Sequence, residues 1–234
     1  MTMKDENIGE YMNIFLGIMI PFAGTALGAA CVFLLKNDIR AGVQKALLGF
    51  ASGIMVAASV WSLLIPAMEM SESMGKLRFV PAAFGFMVGI LTLLLMDSYV
   101  PHQHLGQEEA EGVKKNWSRS MKMVMAVTIH NIPEGIATSV PIYYSTGSRK
   151  RAFIVSFFSG ITEPLGAIIG YLILRPFFND VVFGILFGII AGIMVFISIE
   201  ELLPMAREYE KSKVTIIGVI LGMAIIALSL LLFL

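Results

Sequence analysis

The sequence predicts an all-α fold, a polytopic bundle of transmembrane helices. Three observations predict it. Of the 234 residues, 57% are hydrophobic and only 15% are charged, where soluble domains carry about 25%. The mean hydropathy is +0.81. The apolar residues are also gathered into runs of roughly 20 or more, the helix length that a hydrocarbon layer about 30 Å thick requires.

About seven runs meet that length, at roughly 11–35, 44–68, 79–100, 121–144, 151–174, 181–203 and 214–234, making residues 1–234 a single membrane domain. The segment before the first run, MTMKDENIGEYMN, is more acidic than basic and lacks the basic start of a cleaved signal peptide, so that run is read as a span. It contains the chain's one cysteine, Cys31. With no partner in the chain, Cys31 forms no intramolecular disulfide and reads as a small buried residue. Gly24 and Gly28 in the first run, Gly49 and Gly53 in the second, Gly85 and Gly89 in the third, and Gly166 and Gly170 in the fifth are GxxxG pairs. That spacing lets helix backbones approach closely, so these glycines read as packing surfaces. The 16 methionines read as core filler or lipid-facing residues.

The loop 101–120 is the longest connection and holds His102 and His104 before the polar stretch QEEAEGVKKN. Lysine and arginine concentrate on the cytoplasmic side of membrane proteins. Lys36, Arg40 and Lys45 after the first span and Lys114, Lys115, Arg119 and Lys122 after the third therefore read as cytoplasmic, which places the N-terminus outside a cell membrane. The link Arg149-Lys150-Arg151 also reads as cytoplasmic, as does the connection with Arg207, Lys211 and Lys213. These assignments conflict. The span 121–144 would begin and end on one side, which a single straight span does not do. Either a basic link is forced outside, or the chain lacks a span.

Ionisable groups inside membrane spans are costly and are functional candidates by default. The fourth run reads MKMVMAVTIHNIPEGIATSVPIYY. On a helix, His130 and Glu134 lie about 40° apart and Asn131 falls in the same half. An imidazole, an amide oxygen and a carboxylate then share one face, a ligand set for a borderline divalent ion such as zinc. Pro133 removes one backbone donor, and the freed carbonyl is tolerated where it faces protein, water or an ion. In the next span, FSGITEPLGAIIGY, Glu163 precedes Pro164 and is the natural partner of that face. Glu69, Asp97, Glu200 and Glu201 lie near span ends. There they read either as solvated interface groups or as an ion pathway. His102 and His104 read either as a metal-collecting pair or as a polar loop.

Other classes find no support. The formally zero net charge argues against nucleic acid. No GxxxxGK[ST] run suggests an ATP-driven step, and no HExxH suggests an intramembrane protease. No nucleophile–base pair stands out, so the chain is not read as an enzyme.

At these residues the chain resembles the ZIP family of divalent-metal permeases, in particular its bacterial branch. The resemblance covers nearly the whole chain. ASGIMVAASVWSLLIPAMEMSE at 51–72 is similar to the family's second span, LLLMDSYVPHQH at 93–104 to the end of its third, SGITEPLGA at 159–167 to its sixth and ISIEELLPMA at 197–206 to its seventh. HNIPEG at 130–135 is the family's metal-site motif and is highly specific. The resemblance implies eight helices with both ends outside, usually in a homodimer, moving zinc or a similar ion (iron, manganese, cobalt) into the cytoplasm. Zn2+ is then the transported substrate, and no resident cofactor is implied. It implies His130, Asn131, Glu134 and Glu163 as ligands. Met55 would touch the site, and Asp97, Glu200 and Glu201 would line the exit.

The chain departs from the family in one respect. The family carries such a motif in both its fourth and fifth spans, and this chain has one. SMKMVMAVTIHNIPEG resembles the fourth span, whereas IATSVPIYYSTGSRKR resembles the end of the fifth. The chain reads as fused at the shared motif, with one span's worth of residues missing, where the charge conflict also points. A divalent-metal transporter is therefore expected, with a transport-incompetent relative that associates with a full-length subunit as the alternative.

Overall fold

The computed structural model describes residues 3–35, 41–99, 117–207 and 213–232. The secondary structure among them is helical. In order it comprises α1 (Met3–Ala30), α2 (Ala41–Ala58), α3 (Ile65–Met70), α4 (Phe79–Tyr99), α5 (Trp117–Thr146), α6 (Arg149–Gly160), α7 (Thr162–Leu174), α8 (Asp180–Ile197), α9 (Leu203–Arg207) and α10 (Lys213–Leu232). Six stretches are long and apolar enough to cross a membrane: Ile14–Leu34, Gly42–Met70, Phe79–Met96, Arg149–Phe177, Asp180–Arg207 and Lys213–Leu231. The 30-residue α5 is about 45 Å long at 1.5 Å per residue.

Local chemistry explains the joints. α5 stops at Gly147, whose φ of +64° suits a residue without a Cβ, and its N–H donates to the Tyr143 carbonyl at 2.8 Å. Ser148 then caps α6, its Oγ accepting from the Arg151 N–H at 3.3 Å. Asn179 caps α8 by accepting from the Val182 N–H at 2.9 Å, with Asp180 in the positive first turn. π-helical turns at Ser59–Leu64 and Ser198–Leu202 join α2 to α3 and α8 to α9. Each lies just before a proline, Pro66 or Pro204, that removes a helical donor.

Glycine brings the helices together in three close pairs. Gly49 and Gly53 of α2 lie against the Thr215 and Val219 carbonyls of α10, and Gly218 and Gly222 of α10 lie against the Ala46 and Phe50 carbonyls of α2. Gly85 and Gly89 of α4 meet Ile185 and Ile189 of α8, while Gly188 and Gly192 of α8 meet Ala82 and Phe86 of α4. Gly28 of α1 lies against Ile132 of α5, and Gly135 of α5 lies against Thr25 and Ala29 of α1. A Cβ at any of these glycines would come within 2.6 Å of backbone. Gly166 and Gly170 behave differently: Gly166 is exposed, and a Cβ on Gly170 would meet nothing within 4 Å. Of the glycine pairs read as packing surfaces, this one meets no helix among the described residues.

All three pairs are parallel. Along α1 and α5, Thr25 faces Gly135, Val32 clusters with Ile142, and the Leu35 carbonyl accepts from the Arg149 guanidinium. The α2–α10 and α4–α8 contacts likewise advance together along both chains. These directions fix which ends lie together. Thr215 donates to the Ala206 carbonyl at 3.0 Å while its own carbonyl lies against Gly49, so α9 ends where α10 and α2 begin. α1 ends there too, since only residues 36–40 separate it from α2. Arg149 adds the start of α6. Because α4 runs parallel to α8, its last residue, Tyr99, also lies at that end.

α5 begins at the other end. Trp117 precedes Asn131 by about 21 Å of helix, in the direction of the start of α1. Thus α4 closes at one end of the bundle and α5 opens at the other. The residues between them, 100–116, lie outside the described residues, as do 36–40 and 208–212. The charge conflict is thereby located. Arg149, Lys150 and Arg151 share an end with Lys45, and the helices after them keep their alternation, so the irregular step is between α4 and α5. Neither an inverted C-terminal half nor a displaced basic link at 149–151 is needed.

Candidate functional site

Three helices meet at a buried polar cluster. Thr25 of α1 donates through Oγ1 to Glu163 Oε1 of α7 at 2.7 Å. Asn131 of α5 donates through Nδ2 to Glu163 Oε2 at 3.1 Å and to Thr25 Oγ1 at 3.3 Å. Asn131 is 0% exposed, Thr25 2% and Glu163 6%. Glu134 lies one turn beyond Asn131, about 60° around α5, and is 5% exposed.

Local sequence sets this geometry. Gly135 follows Glu134 directly and lets the α5 backbone touch α1 at Thr25, bringing the Thr25 hydroxyl within reach of Asn131. Glu163 stands in the first turn of α7, where the unpaired N–H groups of the helix favour negative charge. Gly160, one turn earlier, admits Thr25 and Phe22 of α1 beside it.

The cluster sets an amide oxygen beside a carboxylate. Asn131 Oδ1 is buried and has no hydrogen-bond partner among the described residues. An orphaned buried acceptor costs about 1–3 kcal/mol. Turning the amide to satisfy it would set that oxygen against the Glu163 carboxylate. A divalent ion satisfies both, because it accepts an amide oxygen and carboxylates together. Among the described residues no three His, Cys, Asp or Glu side chains converge.

Of the residues singled out in the sequence, Asn131 and Glu163 are in direct contact, and Glu134 is buried on the Asn131 side of α5. His130 lies on α5 and Asp97 on α4, but their side chains lie outside the described residues, as do His102 and His104 altogether. Met55 is 2% exposed and sits in the apolar cluster that includes Ala137, one turn beyond Glu134. Glu200 and Glu201 occupy the π-helical turn of residues 198–202, whose Ser198 exchanges hydroxyl–carbonyl bonds with Ser52 of α2 at 3.2 and 3.3 Å. Glu200 is exposed, as is Glu69 on α3.

Sequence reasoning missed Thr25. A threonine in an apolar helix ordinarily bonds to a carbonyl of its own helix, as Thr92 does to Val88 at 2.8 Å. The available signal was its position inside GTALG, between two small residues that mark a close helix crossing.

Comparison with known proteins adds an independent line. Residues 110–230 match the family model described as ZIP Zinc transporter. The chain is 59% identical to the zinc transporter ZupT of Nitratidesulfovibrio vulgaris over 264 aligned positions, covering 91% of this chain and 95% of that protein. It is 36% identical to ZupT of Chlorobium chlorochromatii over 265 positions, covering 94% and 98%. To ZupT of Streptococcus mutans it is 38% identical over 258 positions, covering 92% and 96%. In each case the aligned positions outnumber the residues contributed here. Since 91% of 234 residues is about 213, about fifty of the 264 positions shared with the Nitratidesulfovibrio protein have no residue in this chain.

Proposed function

The chain belongs to the ZIP zinc transporter family, and from that premise we propose that it passes zinc, or a divalent ion of similar chemistry, across the cell membrane into the cytoplasm through the buried cluster of Asn131, Glu134 and Glu163. It is a transporter and not an enzyme. The observation that carries the site is the orphaned Asn131 Oδ1 beside the Glu163 carboxylate. His130, on the same turn of α5, completes the ligand set. Thr25 orients the Glu163 carboxylate for the ion, its hydrogen bond being kept in both the free and the loaded site. Ligands near the middle of the membrane replace the water around the ion, and relative motion of the helices exposes the site to either side in turn.

A second reading is favoured by a specific observation. α4 ends and α5 begins at opposite ends of the bundle, and about fifty positions of the relatives are absent. In that reading the chain binds the ion but does not complete a pathway alone, and it acts beside another subunit.

Radioactive zinc uptake by cells expressing the chain separates the two. Glu134→Ala and Asn131→Ala serve as controls, with membrane insertion confirmed for each. Uptake above both controls supports a complete transporter. Uptake equal to the controls, with zinc still retained by the purified wild type and lost from the variants, supports the second reading. Zinc retention unchanged in both variants refutes the site.

A further inference from the structure

We propose that the bare face of α7 is an open seat for one membrane helix, a crossing that would restore alternation between α4 and α5, and that this seat accepts such a helix from a separate polypeptide. The inference rests on the fold and on the missing positions, and it extends the second reading above by naming the surface and the partner.

The first argument is the contrast among the glycine pairs. In α1, α2, α4, α8 and α10 these glycines are pressed against the backbone of a neighbouring helix. α7 carries the same device, Gly166-xxx-Gly170, with Ala167 between. On a helix all three lie within about 60° of the direction of Glu163, so they share the face that begins at the ion cluster. Among the described residues, that face is buried only at its first turn, at Glu163. Beyond Pro164 the helix is exposed around most of its circumference, including Leu165, Ile169, Leu172 and Ile173, all at least half exposed. Lipid covers an apolar side chain as well as protein does, but it gains nothing from a glycine groove. A flat stripe of small residues beside a buried carboxylate is the surface of a helix crossing.

The second argument says what belongs there. Helices that cross a membrane in sequence alternate in direction. Between Tyr99 at one end of the bundle and Trp117 at the other, alternation is restored by one added crossing. About fifty absent positions provide it, since a span takes about 20 residues and leaves the rest for its connections. The chemistry at the base of the seat agrees. Asn131, fully buried, has an acceptor without a partner among the described residues and is bonded to Glu163 in the first turn of α7. The occupant is therefore a single apolar helix with a small residue facing Gly170, as Gly135 faces α1, and a polar group at the level of Glu163. It can come from another polypeptide because membrane helices insert independently and associate afterwards side by side.

The test expresses the tagged internal segment of the Nitratidesulfovibrio relative that has no counterpart here, in the same cells as the full chain, and measures co-purification in mild detergent. The expected result is capture by the wild type and at least a ten-fold loss with Gly166→Leu/Gly170→Leu. A Cβ at Gly170 meets nothing within 4 Å and Gly166 is exposed, so yield and thermal stability of the chain alone stay at wild-type values, and Gly42→Leu retains capture. Absence of capture by the wild type, or equal capture by the double variant, overturns the proposal. So does a crosslinked homodimer through Gly166→Cys that the segment fails to displace, since the face would then take a second copy. Zinc uptake is read separately: capture without uptake sustains the seat and refutes transport through the assembled site.

Discussion

Gly135→Ala tests how tightly the ion cluster depends on the α1–α5 crossing. An added Cβ at position 135 would stand 2.0 Å from the Thr25 carbonyl oxygen and 2.4 Å from the Ala29 nitrogen. Both are backbone atoms on a packed helix, so no rotamer relieves the clash. Restoring ordinary contact near 3.4 Å requires the helices to separate by about 1.4 Å. That movement takes the 3.3 Å bond from Asn131 Nδ2 to Thr25 Oγ1 beyond hydrogen-bonding range. Overpacking of this kind costs about 1–3 kcal/mol, and the lost bond about 0.5–1.5 kcal/mol. The sum, about 1.5–4.5 kcal/mol, corresponds to about 3–18 °C in Tm for a chain of this size. Thermal aggregation in detergent measures it, with Gly42→Ala as the control because a Cβ there meets nothing within 4 Å. Zinc retention should fall together with Tm. A Gly135→Ala protein with wild-type Tm would refute the close crossing. One with lowered Tm but intact zinc retention would refute the link from that crossing to the ion cluster.

Other outcomes follow from the same geometry. Thr25→Val removes the donor to Glu163 Oε1 at nearly constant volume. Zinc retention should then weaken about three- to ten-fold, the effect of one hydrogen bond, while Thr25→Ser restores it; titration of the purified protein with zinc reads both. Binding requires deprotonated carboxylates, so zinc affinity should fall as the pH is lowered, and a pH series of the same titration checks this. The direction of α5 predicts that cysteines placed at Ser118 and Thr146, in a Cys31→Ser background, react with impermeant thiol reagents from opposite sides of the membrane. A cysteine at Tyr99 should share the side of Thr146. Labelling of positions 99 and 118 from one side would refute the α5 direction described above.

Much of the fold was legible because the bilayer imposes a simple rule. Apolar runs of span length with no strand alternation leave only a helical bundle. The glycine spacing marked the crossings, since a stripe without side chains has little other use in lipid. Spacing alone could not say that Gly49, Gly85 and Gly28 are mated whereas Gly170, among the described residues, is not, because pairing partners lie 100 residues or more away. The buried polar cluster was legible where chemistry is dear: Asn131, Glu134 and Glu163 are polar groups placed where polarity is expensive. Thr25 was hidden because its hydroxyl has a cheap alternative on its own helix. The π-helical turns at Ser59 and Ser198 were also hidden, since Pro66 and Pro204 announce a disturbance without fixing whether the helix kinks, tightens or widens. The charge pattern placed its conflict across 121–144, within the single helix α5, whereas the irregular step lies before that helix, between α4 and α5.

The pairing of distant helices sets the order in which this chain can mature. α1 waits for α5, α4 for α8 and α2 for α10, so each close crossing joins an early helix to one synthesised at least 80 residues later. During translation the early helices enter the bilayer with their glycine grooves uncovered, and α2 remains so until the last helix emerges. Until α10 is in place, the Gly49–Gly53 groove of α2 has no backbone against it, so α10, which carries none of the proposed ligands, completes the crossing on which that half of the bundle closes.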